Sequence, residues 1–257
     1  MADRDSPVGV FDSGLGGVSV LRACAALLPH EDFLFFGDSA NAPYGEKTPE
    51  QVRALTLRRV EELLDQGVKA VVVACNTATS AAISQLRALY PAVPMIGIEP
   101  AVKPAAQAGD SSQVLVLATP LTIHEEKYQN LAAAFCHEAN VISLPCKGLA
   151  ELIETGHRDD AVMDEYLQEL FLPFRHCGVE YIVLGCTHYP FAEKAIRRNF
   201  GRPVELIDGS EGTARQLRRQ LKAAGLLSLR TRQGEIIFEN SLPEKAEASR
   251  RLFEAEY

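Results

Sequence analysis

Eight short apolar runs in this chain each end in a polar or reactive residue, and they form two sets of four at a nearly constant spacing. The first set is VGVFD (Asp12), DFLFFGD (Asp38), KAVVVACN (Cys75) and PMIGIE (Glu99). The second is VLVLAT (Thr119), VISLPC (Cys146), YIVLGCT (Cys186) and VELID (Asp208). Thr119 follows Asp12 by 107 residues, Cys146 follows Asp38 by 108, Cys186 follows Cys75 by 111 and Asp208 follows Glu99 by 109. A repeat of this kind reads as two similar halves, each built from the same strand and helix units. Any chain that alternates strands with helices spaces its strands fairly evenly. What sets this one apart is chemical agreement, because the third run of both halves ends in a small residue, then Cys, then Asn or Thr.

Helix signals lie between the runs, as an α/β fold requires. Thr48-Pro49-Glu50-Gln51 supplies an N-cap, a proline at the first helical position and a capping-box Gln; Val52, Leu55, Val60 and Leu63 then share one face until Gly67. Pro190 is expected to open the helix after Cys186 in the same way. The fold class expected is therefore α/β: two similar, pseudo-symmetric domains with mostly parallel sheets. Open sheets of this class bind ligands beyond the carboxyl ends of their strands. Two halves facing each other would put Cys75 and Cys186 in one interdomain cleft, the expected active site.

The bulk properties narrow the function classes. With 257 residues, 47% hydrophobic and 23% charged, the chain can bury a substantial core. No apolar run approaches the roughly 18 residues of a transmembrane helix. The start, MADRDSPVGVF, lacks a basic stretch followed by an apolar one, so the chain reads as soluble and cytoplasmic. Six cysteines without CxxC pairs suggest reduced thiols rather than a disulfide framework or zinc ribbon. The formal charge of −8 argues against general nucleic-acid binding, although residues 193–232 hold ten Lys/Arg against four Asp/Glu.

A thiol at the carboxyl end of a strand, just before a helix, lies near free backbone N–H groups and the positive end of the helix dipole. The pKa of Cys75 and Cys186 is expected to fall for that reason. Cys24, Cys136 and Cys177 sit in helical patterns and read as buried structural residues. Inverting a stereocentre by proton transfer needs one base on each face of the carbon, and two symmetric thiols suit that task. Without an electron-sink cofactor, the developing carbanion needs preorganised donors. Asn76, Thr77, Thr187 and His188 stand beside the thiols to provide them. Asp12 and His188 could tune the thiols, but Asp12 suits a cap or turn in DSGLGG equally well, and His188 could be a satisfied structural histidine. No second spaced ligand points to a metal.

Two rival readings arise from other features. FDSGLGGVSVL could cradle an anion on its backbone N–H groups. Asp38, 21 residues after Gly17, lies near the spacing of a ribose-binding acid, which raises an NAD-dependent oxidoreductase. Ser19 at the third glycine position leaves that fingerprint incomplete. Arg215, Arg218, Arg219 and Lys222 at helical spacing raise DNA binding, against the commoner reading of a solvated helix face.

FDSGLGGVSVL, FGDSANAPYG, VVACNTATS and IVLGCTHYPF together make the chain resemble the glutamate racemases of the aspartate/glutamate racemase superfamily, over nearly its whole length. The resemblance implies cofactor-independent interconversion of L- and D-glutamate, with D-glutamate supplied to peptidoglycan. It makes Cys75 and Cys186 the catalytic pair, with Asp12 assisting Cys75 while Glu154 and His188 assist Cys186. Asn76, Thr77 and Thr187 would hold the α-carboxylate and amino group, with Ser13 near the latter. Tyr44 and Gly45 would receive the side-chain carboxylate, and Thr119 and Thr122 would face the substrate. Read alone, Thr119 and Thr122 are turn formers and Glu154 a solvated helix residue.

The resemblance also implies no cofactor or metal, a homodimer, and a C-terminal segment that returns to complete the first domain. The expected domains are 1–98 plus 207–257, and 99–206. Aspartate, one methylene shorter and worth about 1–3 kcal/mol of discrimination, stands as the alternative substrate. Binding to DNA gyrase, described for some members, is an alternative of another class. CKGLAELIE lacks the family's usual prolines, IHEEKY carries two acids where the family has small or neutral residues, and IDGSEGTA departs from the usual form.

Overall fold

A computed structural model describes residues 3–108 and 112–255 of the chain. The first four strands and their helices are β1 (Val8–Asp12), α1 (Val18–Leu27), β2 (Phe33–Gly37), α2 (Pro49–Asp65), β3 (Ala70–Val73), α3 (Asn76–Leu89) and β4 (Met95–Gly97). The short α4 (Val102–Ala106) leads to β5 (Ser112–Ala118), α5 (Pro120–His124), α6 (Glu126–Ala134), β6 (Ala139–Pro145), α7 (Leu149–Glu154), α8 (Ala161–Phe171), β7 (Tyr181–Leu184), α9 (Glu193–Phe200) and β8 (Glu205–Asp208). The chain closes with α10 (Ser210–Ala223), β9 (Ile236–Asn240) and α11 (Glu244–Glu254).

The strands form two parallel sheets, ordered β4-β3-β1-β2-β9 and β6-β5-β7-β8. With β5 to β8 matched to β1 to β4, the second order is the first read from the other edge, so the repeat in the strand ends is a repeat of topology. Only β9 breaks it, pairing with β2 from Phe33↔Ile236 to Gly37↔Asn240.

Both faces of the first sheet are covered over β1 to β4, which explains the apolar runs of those strands. Val8, Val10, Phe33, Phe35 and Val72 pack with α1 and α10, whereas Phe11, Leu34, Val71 and Val73 pack with α2 and α3. In the second sheet Leu115, Leu117 and Ile182 join the cluster of α7 to α9, and Val114, Val116 and Val183 pack against α4 and α6. The capping box of α2 forms in full, with Thr48 Oγ1 accepting from Gln51 N and Gln51 Oε1 accepting from Thr48 N.

Two local expectations need correction. Pro190 is the second residue of a 3-10 turn, Tyr189–Ala192, and the α-helix begins only at Glu193. The turn points His188 and Tyr189 inward, and both are buried. Of the three cysteines expected to be structural, Cys24 is buried in α1, but Cys136 is exposed in the turn after α6 and Cys177 is half-buried beyond a 3-10 turn. No helix among the described residues is long and apolar enough to cross a membrane.

Candidate active site

Cys75 caps α3 at the end of β3, and Cys186 follows β7 at the equivalent place in the other half. Both line one cavity of about 210 Å³. Ser13, Tyr44, Gly45, Asn76, Thr77, Thr119, Glu154, Thr187 and His188 line it as well. Asp12 and Thr122, fully buried, stand one layer behind the wall, where Asp12 Oδ2 accepts from Thr187 Oγ1 (3.0 Å) and Thr122 Oγ1 meets Thr77 Oγ1 (3.1 Å).

At the Cys75 pole, the sulfur accepts from Ser13 Oγ (3.3 Å) and from the backbone N–H of Ala78 (3.4 Å). The Ala78 N–H is a donor expected from a helix start, yet the expected fall in pKa does not follow. Burial pushes the Cys75 thiol up to about 12, and the Asp12 carboxyl adds to the rise against the pull of Ser13 and Ala78. Removal from water penalises the thiolate more than two weak donors to sulfur favour it. Burial likewise pushes the Asp12 carboxyl up, against the charge of His188 and the bonds from Gly14 N–H and Thr187.

The Cys186 pole is built differently. His188 Nδ1 lies 3.8 Å from Cys186 Sγ, and its Nε2 donates to Glu154 Oε2 at 2.7 Å. Burial opposes a charged imidazole, but the bonds to Cys186 and Glu154 outweigh it and hold His188 well above its ordinary range. Burial would also raise Glu154; the hydrogen bond and charge of His188, the N–H of Leu15 and the charge of Lys245 instead bring it to about 2. Glu154 and His188 therefore form an ion pair, with Leu15 N (3.1 Å) and Ser39 Oγ (3.3 Å) also donating to the carboxylate. Glu154 is no solvated helix residue, since its side chain is only 10% exposed.

The glycine loop serves close approach. A Cβ on Gly16 would lie 2.5 Å from His188 Nδ1 and 2.6 Å from Thr187 Oγ1, so only glycine lets the β1 turn touch the Cys186 segment. Its N–H groups hold the chain's own carboxylates: Gly14 N donates to Asp12 Oδ1 (2.9 Å) and Leu15 N to Glu154. Across the cavity a Cβ on Gly45 would meet Thr119 Cβ at 2.7 Å, which brings the Tyr44–Gly45 segment against the threonine cluster. Thr119 Oγ1 bonds with Thr77 Oγ1 (3.1 Å) and Thr122 Oγ1 (2.9 Å). Asn76 Oδ1 is buried without a hydrogen-bond partner, an acceptor left for a donor that enters the cavity.

Asp38 does not act as a ribose acid. It is buried and accepts from Asn41 Nδ2 (3.0 Å) and Tyr44 Oη (2.7 Å), with Arg59 at 3.2 Å, so it anchors the Tyr44 segment. The cavity is also below the roughly 300–1,000 Å³ of pockets for drug-sized ligands and suits a small molecule rather than a dinucleotide. The basic helix α10 buries Thr213, Ala214, Leu217 and Leu221 and presents Arg215, Arg218, Arg219 and Lys222 to solvent, with Arg215 paired to Glu211. No group of three or more His, Cys, Asp or Glu among the described residues could hold a metal ion.

Sequence reasoning missed Ser39, Cys146, Lys147 and Lys245, all of which line the cavity. Cys146 carried a signal, being the partner of Asp38 in the strand-end repeat. Lys245, in an ordinary charged helical stretch, carried none.

The Asp/Glu/hydantoin racemase family model matches residues 9–217. The glutamate racemase of Clostridium perfringens (strain ATCC 13124) is 44% identical over 253 residues, covering 98% of this chain and 97% of that relative. Among solved structures, glutamate racemase from Francisella tularensis in complex with D-glutamate superposes with a TM-score of 0.84 at 30% identity, covering 98% of this chain and 95% of that one. A glutamate racemase isoform from Bacillus anthracis gives 0.88 at 29% identity, with 98% and 96% coverage.

Proposed function

The chain belongs to the Asp/Glu/hydantoin racemase family, and on that premise we propose that it is a glutamate racemase moving the α-proton between Cys75 and Cys186 without a cofactor. The observation that carries this reading is the pair of thiols, from equivalent strand ends of two halves, on one cavity of about 210 Å³.

The substrate's α-carbon lies between the sulfurs. One sulfur, as thiolate, takes the α-proton, so that an S–H bond forms as the C–H bond breaks. The opposite thiol delivers its proton to the other face, a C–H bond forms, and the charge is left on that sulfur. The two directions of turnover use the sulfurs in exchanged roles.

The residues around each sulfur fit that exchange. At the Cys75 pole burial favours the neutral thiol, a proton donor as it stands; acting as a base there needs compensating positive charge, which the substrate ammonium brings beside Asp12 and Ser13. At the Cys186 pole the imidazolium of His188 balances negative charge on the sulfur, and Glu154 keeps that imidazolium in place. The N–H groups of Asn76 and Thr77, which a helix start leaves without intrahelical acceptors, bind the α-carboxylate together with Thr187 and oppose the carbanion's charge. Asn76 Oδ1 accepts from the ammonium. Backbone groups at Tyr44 and Gly45 take the side-chain carboxylate, and Thr119 and Thr122 shape that wall.

We read residues 1–98 with 207–257 as one α/β unit and 99–206 as the other, the second junction falling within β8, whose pairing with β7 runs to Asp208, with cleft closure excluding water; the outermost residues of that division lie outside the described ones. The enzyme works as a cytoplasmic homodimer whose product enters peptidoglycan.

The test is Cys75→Ser and Cys186→Ser, assayed with L- and D-glutamate in deuterium oxide without added pyridoxal phosphate or metal. Both variants should keep the fold and lose racemisation, and the wild type should place solvent deuterium at the α-carbon. Near-normal turnover by either variant in both directions would sink the two-thiol scheme. Faster turnover of aspartate than glutamate would move the substrate assignment to the shorter acid.

A further inference from the structure

Glu154 is held from every side of the cleft. It ends α7 in the second half, yet Oε2 accepts from Leu15 N in the β1 turn as well as from His188, and Oε1 accepts from Ser39 Oγ beyond β2 and from Lys245 Nζ (3.1 Å) in the first turn of α11. The returning C-terminal segment reaches the same carboxylate twice, directly through Lys245 and indirectly through Asn240 Nδ2, which donates to Ser39 Oγ at 3.0 Å. A cation in the first turn of a helix faces the positive end of the helix dipole, a position that costs stability by itself. Lys245 occupies it with only 32% of its side chain exposed and lines the cavity beside the paired carboxylate.

We propose that Lys245 is a positioning residue for the proton transfers at Cys186: it holds Glu154 across the cleft so that His188 stays bound through Nε2 and turns Nδ1 to the sulfur. The inference rests on the reading of Cys186 as one of the two proton-transferring thiols. Lys245 lies two groups away from that sulfur, through Glu154 and His188, and donates to the oxygen that His188 does not use. Its loss leaves Oε1 with a single neutral donor, Ser39, and frees the carboxylate to rotate away from His188. The Cys75 sulfur accepts from Ser13 and the start of α3, and the charges of His188 and Glu154 reach this pole at a distance, on Asp12, whereas at the Cys186 pole they act through direct contact.

That asymmetry gives a signature that a general packing defect lacks. Removing Lys245 impairs chiefly the steps made by Cys186. With substrate deuterated at the α-carbon, the isotope effect on kcat/KM should rise in the direction where Cys186 removes the proton. It should fall in the other direction, where the slowed step becomes reprotonation.

The experiment compares wild type, Lys245→Met and Lys245→Arg, all checked for an unchanged thermal midpoint. Loss of one charged hydrogen bond to the carboxylate should lower kcat of Lys245→Met about 10-fold or more. Its KM for both enantiomers should stay within about 3-fold, since Lys245 Nζ is engaged by Glu154. Relative to wild type, its two isotope effects should move in opposite directions, and Lys245→Arg should recover most of the loss. An unchanged kcat, a loss carried by KM alone, or isotope effects that do not shift in opposite directions from the wild-type values would each overturn the inference. Cys186→Ser is run beside them. If it is inactive while Lys245→Met is normal, only this inference fails; if it remains active in both directions, the two-thiol reading fails with it.

Discussion

Replacing Glu154 by Gln should remove a pH-dependent part of the protein's stability whose size and window follow from the ion pair with His188. The carboxyl lies at about 2 in the folded chain against an ordinary value of 4.5, held there, against burial, by His188, Leu15 N–H and Lys245. A difference of that size corresponds to about 3 kcal/mol at about 1.4 kcal/mol per pKa unit. Because the folded value is depressed, this contribution is present above pH 4.5 and is lost as pH falls from there toward 2. His188 runs the other way. Its raised value contributes stability that is full below 6.5 and fades as pH rises from there through the folded value. The pair is therefore worth most between pH 4.5 and 6.5.

Urea unfolding of wild type and Glu154→Gln at pH 5.5 and pH 3 measures this directly. At pH 5.5 the variant should be less stable by about 3 kcal/mol, because Gln keeps the shape but leaves His188 without its counter-charge. At pH 3 the gap should shrink. An equal gap at both pH values would show that the loss is one of packing, and no gap at pH 5.5 would refute the ion pair itself.

Two further substitutions separate shape from charge. Gly16→Ala puts a methyl group 2.5 Å from His188 Nδ1, so thermal unfolding should register about 1–3 kcal/mol of overpacking and racemisation should fall by about 100-fold as His188 is displaced; a fully active variant would mean that the β1 turn yields freely. Asn76→Ala removes a buried oxygen that has no partner in the free protein, so stability should change by under about 1 kcal/mol while kcat/KM drops about 100-fold; a stability loss matching the activity loss would make Asn76 structural.

Several of these features were legible in the residues themselves, because they depend on local order. The two halves follow from the spacing of the strand ends, and identical strand orders follow from identical units. Cys75 and Cys186 stood out because a reactive residue between a strand and a helix has few structural uses there. The start of α2 was readable from Thr48 to Gln51, since a capping box is made within four residues. The return of the C-terminal segment, by contrast, was expected only from family resemblance, and nothing in IIFEN by itself selects the β2 edge over another.

What the linear order determined by itself is where each reactive group lies along the chain and which secondary element precedes it, since backbone geometry and apolar periodicity act over a few residues. Tertiary structure alone decided what each group experiences. It buried Cys75 deeply enough to reverse the effect of its helix start, and it gathered Leu15, Ser39, His188 and Lys245 around Glu154. Desolvation and charge pairing depend on distance in space, and residues 91 apart in sequence, such as Glu154 and Lys245, become neighbours only when the whole chain has folded.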